Sequence, residues 1–380
     1  MLRICGVTFD HTTNYGSCLQ AYALQTAIES ITVGQGESCN YALLASRDSK
    51  KSTPTGKLAV RVKRNILLGM SWIRRRKFKR FEERHMHYEW YGGKEELPGL
   101  NAKYDAFVCG SDVIWNFSFT GADPKYFLDF AHRYKFSYAA SFGKADIHYE
   151  FDSVKLNEPP EVIYSRYLPS LDAVSVREMN AVSIAQRFTK RDVVQVCDPV
   201  LLITADEWRT LADTARGRKR KPYIFAYNTS IKPNFTAFLY KLQAQTHLPV
   251  VHVTWSAADA VKQRAFSFPD PEKWLSLLCD AEYVVTNSFH ATAFATLFHK
   301  KFYTVMQDDK KARTNVRLYD YLERLGLEDR IYTMLQDEIS LEQPDFESAD
   351  RVIPLWRDHA KEYIRENLEN AWKAKVAHER

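Results

Sequence analysis

The chain opens on an apolar run, LRICGVTF, that stops at the polar stretch HTTNYGS. Behind it Leu19, Tyr22, Ala23, Ala27 and Ile31 recur near helical spacing, so the segment reads as strand, turn, helix. The same order returns along the chain. YDAFVCGSDVIWN and KFSYAASFGKA each hold a short apolar run ended by small residues, and DAVSVRE and VVQVCDPVLL repeat it around a helix at Asn180 to Phe188. In the second half, YIFAY, LPVVHVTW, AEYVVTN and KKFYTVM alternate with the helical patterns of FTAFLYKLQAQ, PEKWLSLLCDA, SFHATAFATLF and YDYLERLGL. Unbroken apolar runs are what strands covered on both faces require, which points to parallel sheets.

Alternating strands and helices predict an α/β chain of two Rossmann-like domains with parallel sheets facing a cleft. At about 150 residues per domain, 380 residues suffice for two. The expected division is 1-165, with a helical insertion at 57-87, then 166-350, then a C-terminal helix at 351-380. The hinge is expected between Asp152 and Pro169. The insertion places Leu58, Val62, Ile66, Trp72, Phe78 and Phe81 beside a basic run, Arg74 to Lys77. It reads as amphipathic helix with a solvated basic face, a membrane-surface or acidic-partner patch being the alternative.

Charge narrows the ligand class. Lys and Arg number 53 against 47 Asp and Glu, a net +6 that suits anionic small molecules and falls short of a dedicated nucleic-acid binder. Six scattered cysteines without a CxxC pair fit buried thiols in a reducing compartment. The N-terminus runs straight into a strand and no apolar stretch approaches the ~18 residues of a membrane span, so the expected location is cytoplasmic, with transient association at the inner membrane face left open. No HExxH or Cys/His cluster appears, so no metal is expected, and Asp308-Asp309 alone is too weak a signal for one.

In doubly wound sheets, ligands bind beyond the carboxyl ends of strands, where helix N-termini offer free N–H groups. YVVTNSFHATAF is the clearest such turn: Asn287 and Ser288 can cap a helix whose first turn carries His290. A phosphate or carboxylate can meet the N–H groups, Ser288 and His290 together, against the plain reading of a capping or packing histidine. Asn14-Tyr15-Gly16-Ser17 forms the matching turn in the first half, with Tyr15 as a stacking surface for a sugar; it is not GxGxxG, so a dinucleotide fingerprint is absent. Arg177 ends a strand and can grip an anion bidentately, or pair with Glu178. Ser111 and Asp112 end another strand, Asp112 as base or as cap. Asp198 before Pro199 reads as a structural turn, and Lys310 in an exposed loop can help neutralise a phosphate.

Taken in order, NYGSCLQAYAL, YDAFVCGSDVIWN, KFSYAASFG, VSVREMN, VCDPVLL and VVTNSFHATAFATLF resemble the polysaccharide pyruvyl transferase family, from Met1 to about Tyr332. The resemblance implies a GT-B-like pair of domains that transfers the pyruvyl group of phosphoenolpyruvate to sugar hydroxyls, leaving a ketal and free phosphate. It implies no cofactor beyond the donor substrate. The implied acceptor is a sugar or lipid-linked oligosaccharide of a surface polysaccharide, with no nucleic acid. By the same resemblance His290 falls on the histidine of an SFHGT-like motif, as proton donor or phosphate stabiliser, and Arg177 on the arginine of an SVRE-like motif, as anion clamp. Asn315 and Arg317 match an NSR-like segment. The sequence departs from the family pattern at Val113, where Gln is frequent, and at Ala291, where Gly is common; a methyl there is expected to crowd a ligand approaching the backbone. Two rivals share the fold: a glycosyltransferase using a nucleotide sugar, and a non-catalytic relative. Acceptor identity, ketal stereochemistry and oligomeric state are not encoded in these motifs.

Overall fold

The computed structural model describes residues 1–10, 12–47, 58–148, 154–215, 221–229, 233–254, 268–306, 315–333 and 339–380. Lys310, Asp308 and Asp309 lie outside the described residues, as does part of the expected hinge.

The first sheet is built on β1 (Leu2–Val7), flanked by β3 (Glu37–Ser46) and β5 (Ala106–Cys109), both parallel to it. Outward from β3 lie β4 (Tyr88–Tyr91), parallel, and the short antiparallel β2 (Thr32–Val33). Outward from β5 lies β6 (Tyr134–Ser137). The sheet then continues: bridges Phe136–Ala173 and Ala140–Val176 join β6 to β7 (Val174–Val176), which pairs in parallel with β8 (Val193–Gln195). The expected boundary at 165 therefore moves. Residues 166 to 195 belong to the first sheet, because Val174 and Val176 bury their side chains in the same core as Phe107, Trp115 and Tyr164. The second sheet runs β10 (Val250–Thr254), β9 (Ile224–Asn228), β11 (Tyr283–Thr286), β12 (Lys301–Val305), β13 (Ile331–Tyr332), all parallel.

The α-helices of eight or more residues among those described are α1 (Tyr15–Glu29), α2 (Leu58–His85), α3 (Pro160–Tyr167), α4 (Met179–Gln186), α5 (Ala205–Asp213), α6 (Pro233–Thr246), α7 (Pro271–Cys279), α8 (Phe289–Leu297), α9 (Val316–Arg324) and α10 (Glu347–Glu379). The expected C-terminal helix is therefore present, starting slightly earlier than 351. It returns to the first sheet: the Tyr363 hydroxyl donates to the Ser137 carbonyl at 3.0 Å, and the Tyr134 hydroxyl to Asn367 at 2.9 Å. The two halves are thus tied by the chain end as well as by their connection.

The basic helix is not simply a solvated face. Arg74 is buried, stacked over the Tyr15 and Phe78 rings at 5.2 and 5.7 Å. Its guanidinium donates to the Thr13 carbonyl in the first half at 2.7 Å and to the Thr254 carbonyl in the second at 2.8 Å. Desolvating a guanidinium is tolerable only when its N–H groups find acceptors, and here one carbonyl from each half supplies them. α2 is a strap across both halves, with Arg75, Arg76, Lys79 and Arg80 left exposed.

Candidate functional site

Between the carboxyl ends of the two sheets lies a cavity of about 580 Å³. Its walls come from the segments after β1, β5 and β6 on one side and after β9, β11 and β12 on the other. Three helix-capping residues line it together: Asn14 before α1, Ser288 before α8 and Asn315 before α9. A helix N-terminus carries roughly half a positive charge, and at α8 and α9 no capping side chain takes up its N–H groups, so these two ends favour an anion.

The polar side chains complete that bias. Asn14 accepts from the backbone N–H of Gly16 and of Ser17, at 2.9 and 3.4 Å, and so fixes the entry of α1. Ser17 Oγ donates to Asp112 Oδ2 at 2.5 Å. Asp112 sits at φ 68°, which turns its carboxylate back over the Val113 N–H at 2.9 Å. Asn287 accepts from the Thr229 N–H at 2.8 Å, joining the β9 and β11 ends. Arg317, half-buried in the first turn of α9, lines the cavity, and its buried Nε has no hydrogen-bond partner among the described residues. A guanidinium in a cavity wall is suited to pair with an anionic ligand.

Behind this wall lies a buried charged cluster. Arg177 Nη1 donates to Asp198 Oδ2 at 2.7 Å, and His290 Nε2 stands 3.4 Å from the same oxygen, an ion-pair distance without hydrogen-bond geometry. Arg177 Nε lies 3.6 Å from Glu178 Oε2, and its guanidinium covers the Phe289 ring at 4.4 Å. Burial by itself raises the pKa values of Asp112 and Asp198, but the positive charges of His290 and Arg177 outweigh it and hold both carboxyls below the ordinary range. For Arg177 burial pulls downward and the carboxylates of Asp198, Glu178 and Asp112 win, raising it. For Arg317 burial and then repulsion from Arg177 lower the pKa, offset only in part by the same three carboxylates.

His290 occupies the first turn of α8 and lines the cavity. Gly16 is packed against its ring: a Cβ at residue 16 would fall 2.2 Å from Nδ1. A second glycine stands at Gly143, where φ is 64° and a Cβ would fall 2.7 Å from Val113 Cγ1, so a side chain there is strained. The first contact packs α1 against α8 at the histidine ring, and the second packs the segment after β6 against the one after β5.

Most of the expected site residues thus converge. Asn14, Ser17, Asp112, Asn287, Ser288, His290, Asn315 and Arg317 line one cavity, and Gly16 supports it. Four expectations change. Tyr15 cannot stack on a sugar: it is fully buried, parallel to Trp274 at 5.3 Å, with its hydroxyl on the Pro269 carbonyl. Ser111 faces inward, donating to the Ala139 carbonyl at 3.0 Å. Arg177 lies behind Phe289 and is not on the cavity wall, so the position suited to an anion clamp passes to Arg317. Ala291 points its methyl into the apolar core rather than at the cavity, so it does not crowd a ligand.

Asp198, read as a turn residue, does cap the turn after it, accepting from the Val200 N–H at 3.1 Å, yet it also joins Arg177 to His290. Phe9, Asp10, Asn116 and Lys144 on the wall were not anticipated. Asp10 and Lys144 follow strand ends, which was the available signal.

A family model described as polysaccharide pyruvyl transferase matches residues 14–309. Among curated proteins none matches the chain. Solved structures similar to it include the UDP complex of MnaA from S. aureus, 11% identical, covering 96% of this chain and 97% of that one at a TM-score of 0.48. The UDP-GlcNAc 2-epimerase of Methanocaldococcus jannaschii is 10% identical over 93% of this chain and 98% of its own, with a TM-score of 0.41. Sucrose-phosphate synthase of Thermosynechococcus elongatus is 10% identical over 100% and 97%, with a TM-score of 0.43. These are likenesses of chain course and carry no inference about ligands.

Proposed function

The chain belongs to the polysaccharide pyruvyl transferase family, and from that premise we propose that the cavity binds phosphoenolpyruvate and transfers its pyruvyl group to two hydroxyls of a sugar in a surface-polysaccharide precursor. The observation that carries the reading is the convergence of the α8 and α9 N-termini, His290 and Arg317 on one cavity. Phosphoenolpyruvate brings a phosphate and a carboxylate, and a site with this many positive ends is suited to hold both.

The reaction balances without another reactant. One acceptor hydroxyl adds to C2 and gives up its proton while the vinyl carbon C3 gains one and becomes a methyl group. The second hydroxyl then displaces phosphate from C2, closing the ketal and releasing its own proton. His290 is the side chain whose chemistry suits proton donation to C3 or to the departing phosphate. Asp112, held ionised by its neighbours, is suited to orient an acceptor hydroxyl and to stabilise the positive charge developing at C2. Arg317 is suited to the donor anion, and Arg177 and Asp198 act through His290 as positioning residues. No other cofactor is invoked. The acceptor is a sugar or lipid-linked saccharide. Among the described residues no helix is long and apolar enough to cross a membrane.

Incubation with phosphoenolpyruvate and a panel of nitrophenyl and lipid-linked sugars tests this directly. The expected result is phosphate release matched one to one by acceptor gaining a pyruvate ketal in its mass spectrum. Stabilisation by a nucleotide sugar and not by phosphoenolpyruvate in a thermal-shift series would transfer the site to glycosyl transfer instead.

A further inference from the structure

The loop that carries Asn14 into the cavity has a second side. At Thr12 the cavity wall is shared with a larger groove, about 990 Å³, that runs along the outer face of α2 toward β4. Its rim carries two exposed indoles, Trp72 and Trp90, and the exposed arginines Arg75 and Arg76. Arg76 lies over the Trp72 ring at 5.3 Å, and Arg47, also on the wall, donates to the Trp90 carbonyl at 3.4 Å. Lys79 is engaged with Glu83 at 3.5 Å, and Glu82 lies further along, so the anion-binding capacity is concentrated at the Arg47, Arg75 and Arg76 end.

Exposed indoles beside guanidinium groups in a concave groove serve a particular kind of ligand. The C–H faces of sugar rings pack on aromatic faces, while arginine forks pair with carboxylate or phosphate oxygens. A bilayer surface calls for a planar or convex face, whereas a groove encloses a chain. The anchoring of α2 makes this rim rigid: Arg74 and Phe78 are buried on its inner side, so Arg75, Arg76 and Trp72 are held outward.

We propose that this groove binds the continuing chain of a saccharide acceptor that bears anionic groups, Trp72 and Trp90 packing on its sugar rings and Arg47, Arg75 and Arg76 pairing with its carboxylates or phosphates. Thr12 stands in the wall of both the groove and the cavity, so a chain that crosses it extends from the groove toward His290 and Asp112. The identity of that end as a pyruvyl acceptor rests on the function proposed above; the groove's selectivity for anionic saccharide does not.

The test titrates the full-length protein with hyaluronan hexasaccharide as the carboxylate probe, maltohexaose bearing one phosphate as the phosphate probe, and plain maltohexaose as the neutral control. Binding is read by calorimetry and by tryptophan fluorescence. At least one anionic probe is expected to bind about 10-fold or more tighter than the neutral one, as one charge-assisted pair implies. The preferred anion identifies the source. The R75E/R76E variant should lose that preference, and W72A should weaken charged and neutral chains alike. Stabilisation by phosphoenolpyruvate should be unchanged in both variants. R75A/R76A provides a milder version if charge reversal impairs folding. Equal affinity for charged and neutral probes, an R75E/R76E variant that binds as the parent does, or binding confined to anionic lipid vesicles would each overturn the assignment. Saccharide binding as expected without phosphoenolpyruvate stabilisation or phosphate release would leave the groove standing and remove the pyruvyl-transfer reading.

Discussion

Gly16 and His290 are in direct contact across the two halves of the molecule, the backbone of α1 lying where a Cβ would sit 2.2 Å from the histidine Nδ1. The Gly16→Ala variant must displace the ring or the helix. Overpacking of this kind costs about 1–3 kcal/mol, and a ring misplaced by about 1 Å is expected to lower kcat on the order of 100-fold. Thermal unfolding and steady-state phosphate release measure the two effects. A parent-like kcat despite a shifted ring would remove His290 from the chemistry.

Asp198 supports both Arg177 and His290 from beneath the cavity. In Asp198→Asn, Arg177 loses its closest carboxylate while remaining buried, and breaking such a pair costs about 3–5 kcal/mol. Because the folded-state pKa of Asp198 is depressed, its contribution is fully present above the unfolded value, about 4, and is lost as pH falls through the lower folded value. The stability gap between parent and variant, measured by urea unfolding, should therefore be constant from pH 7 to about pH 5 and shrink in stronger acid. A gap that widens in acid would contradict the ionised assignment.

Arg317 stands in the cavity wall. One charge-assisted hydrogen bond is worth about 1.5–3 kcal/mol, so Arg317→Ala should raise KM for phosphoenolpyruvate roughly 10- to 100-fold. Arg317→Lys should recover part of the loss, because it keeps the charge without the planar fork. If KM is unmoved and kcat alone falls, the residue acts on the transition state and not as a donor clamp.

Ala291 buries its methyl in the core of the second half. Ala291→Gly should lower stability by about 1 kcal/mol or more through helix propensity and lost packing, with KM for phosphoenolpyruvate unchanged. Calorimetric unfolding and donor titration read these separately. A lower donor KM in the glycine variant would show that the methyl reaches the ligand after all.

The site was legible in the sequence wherever its residues lie at strand-to-helix turns. Asn14, Ser17, Asp112, Asn287, Ser288 and His290 all occupy such turns, because short apolar runs ending in small or capping residues determine where strands stop and helix N-termini begin. The α/β class followed from the same alternation, since buried parallel strands require continuous apolar runs. Tertiary structure decided which way each side chain faces. Tyr15 and Ser17 are two residues apart on one helix, yet the first is locked on Trp274 and the second lines the cavity. Arg177 and Arg317 are both arginines near anionic neighbours, and only the packing of Phe289 puts one behind the wall and the other on it. Asp198 meets His290, 92 positions away in the sequence, because two sheets bring their carboxyl ends together. Local pattern determines backbone and turn; the direction of a side chain and its distant partner depend on what packs against it, and only the folded chain supplies that.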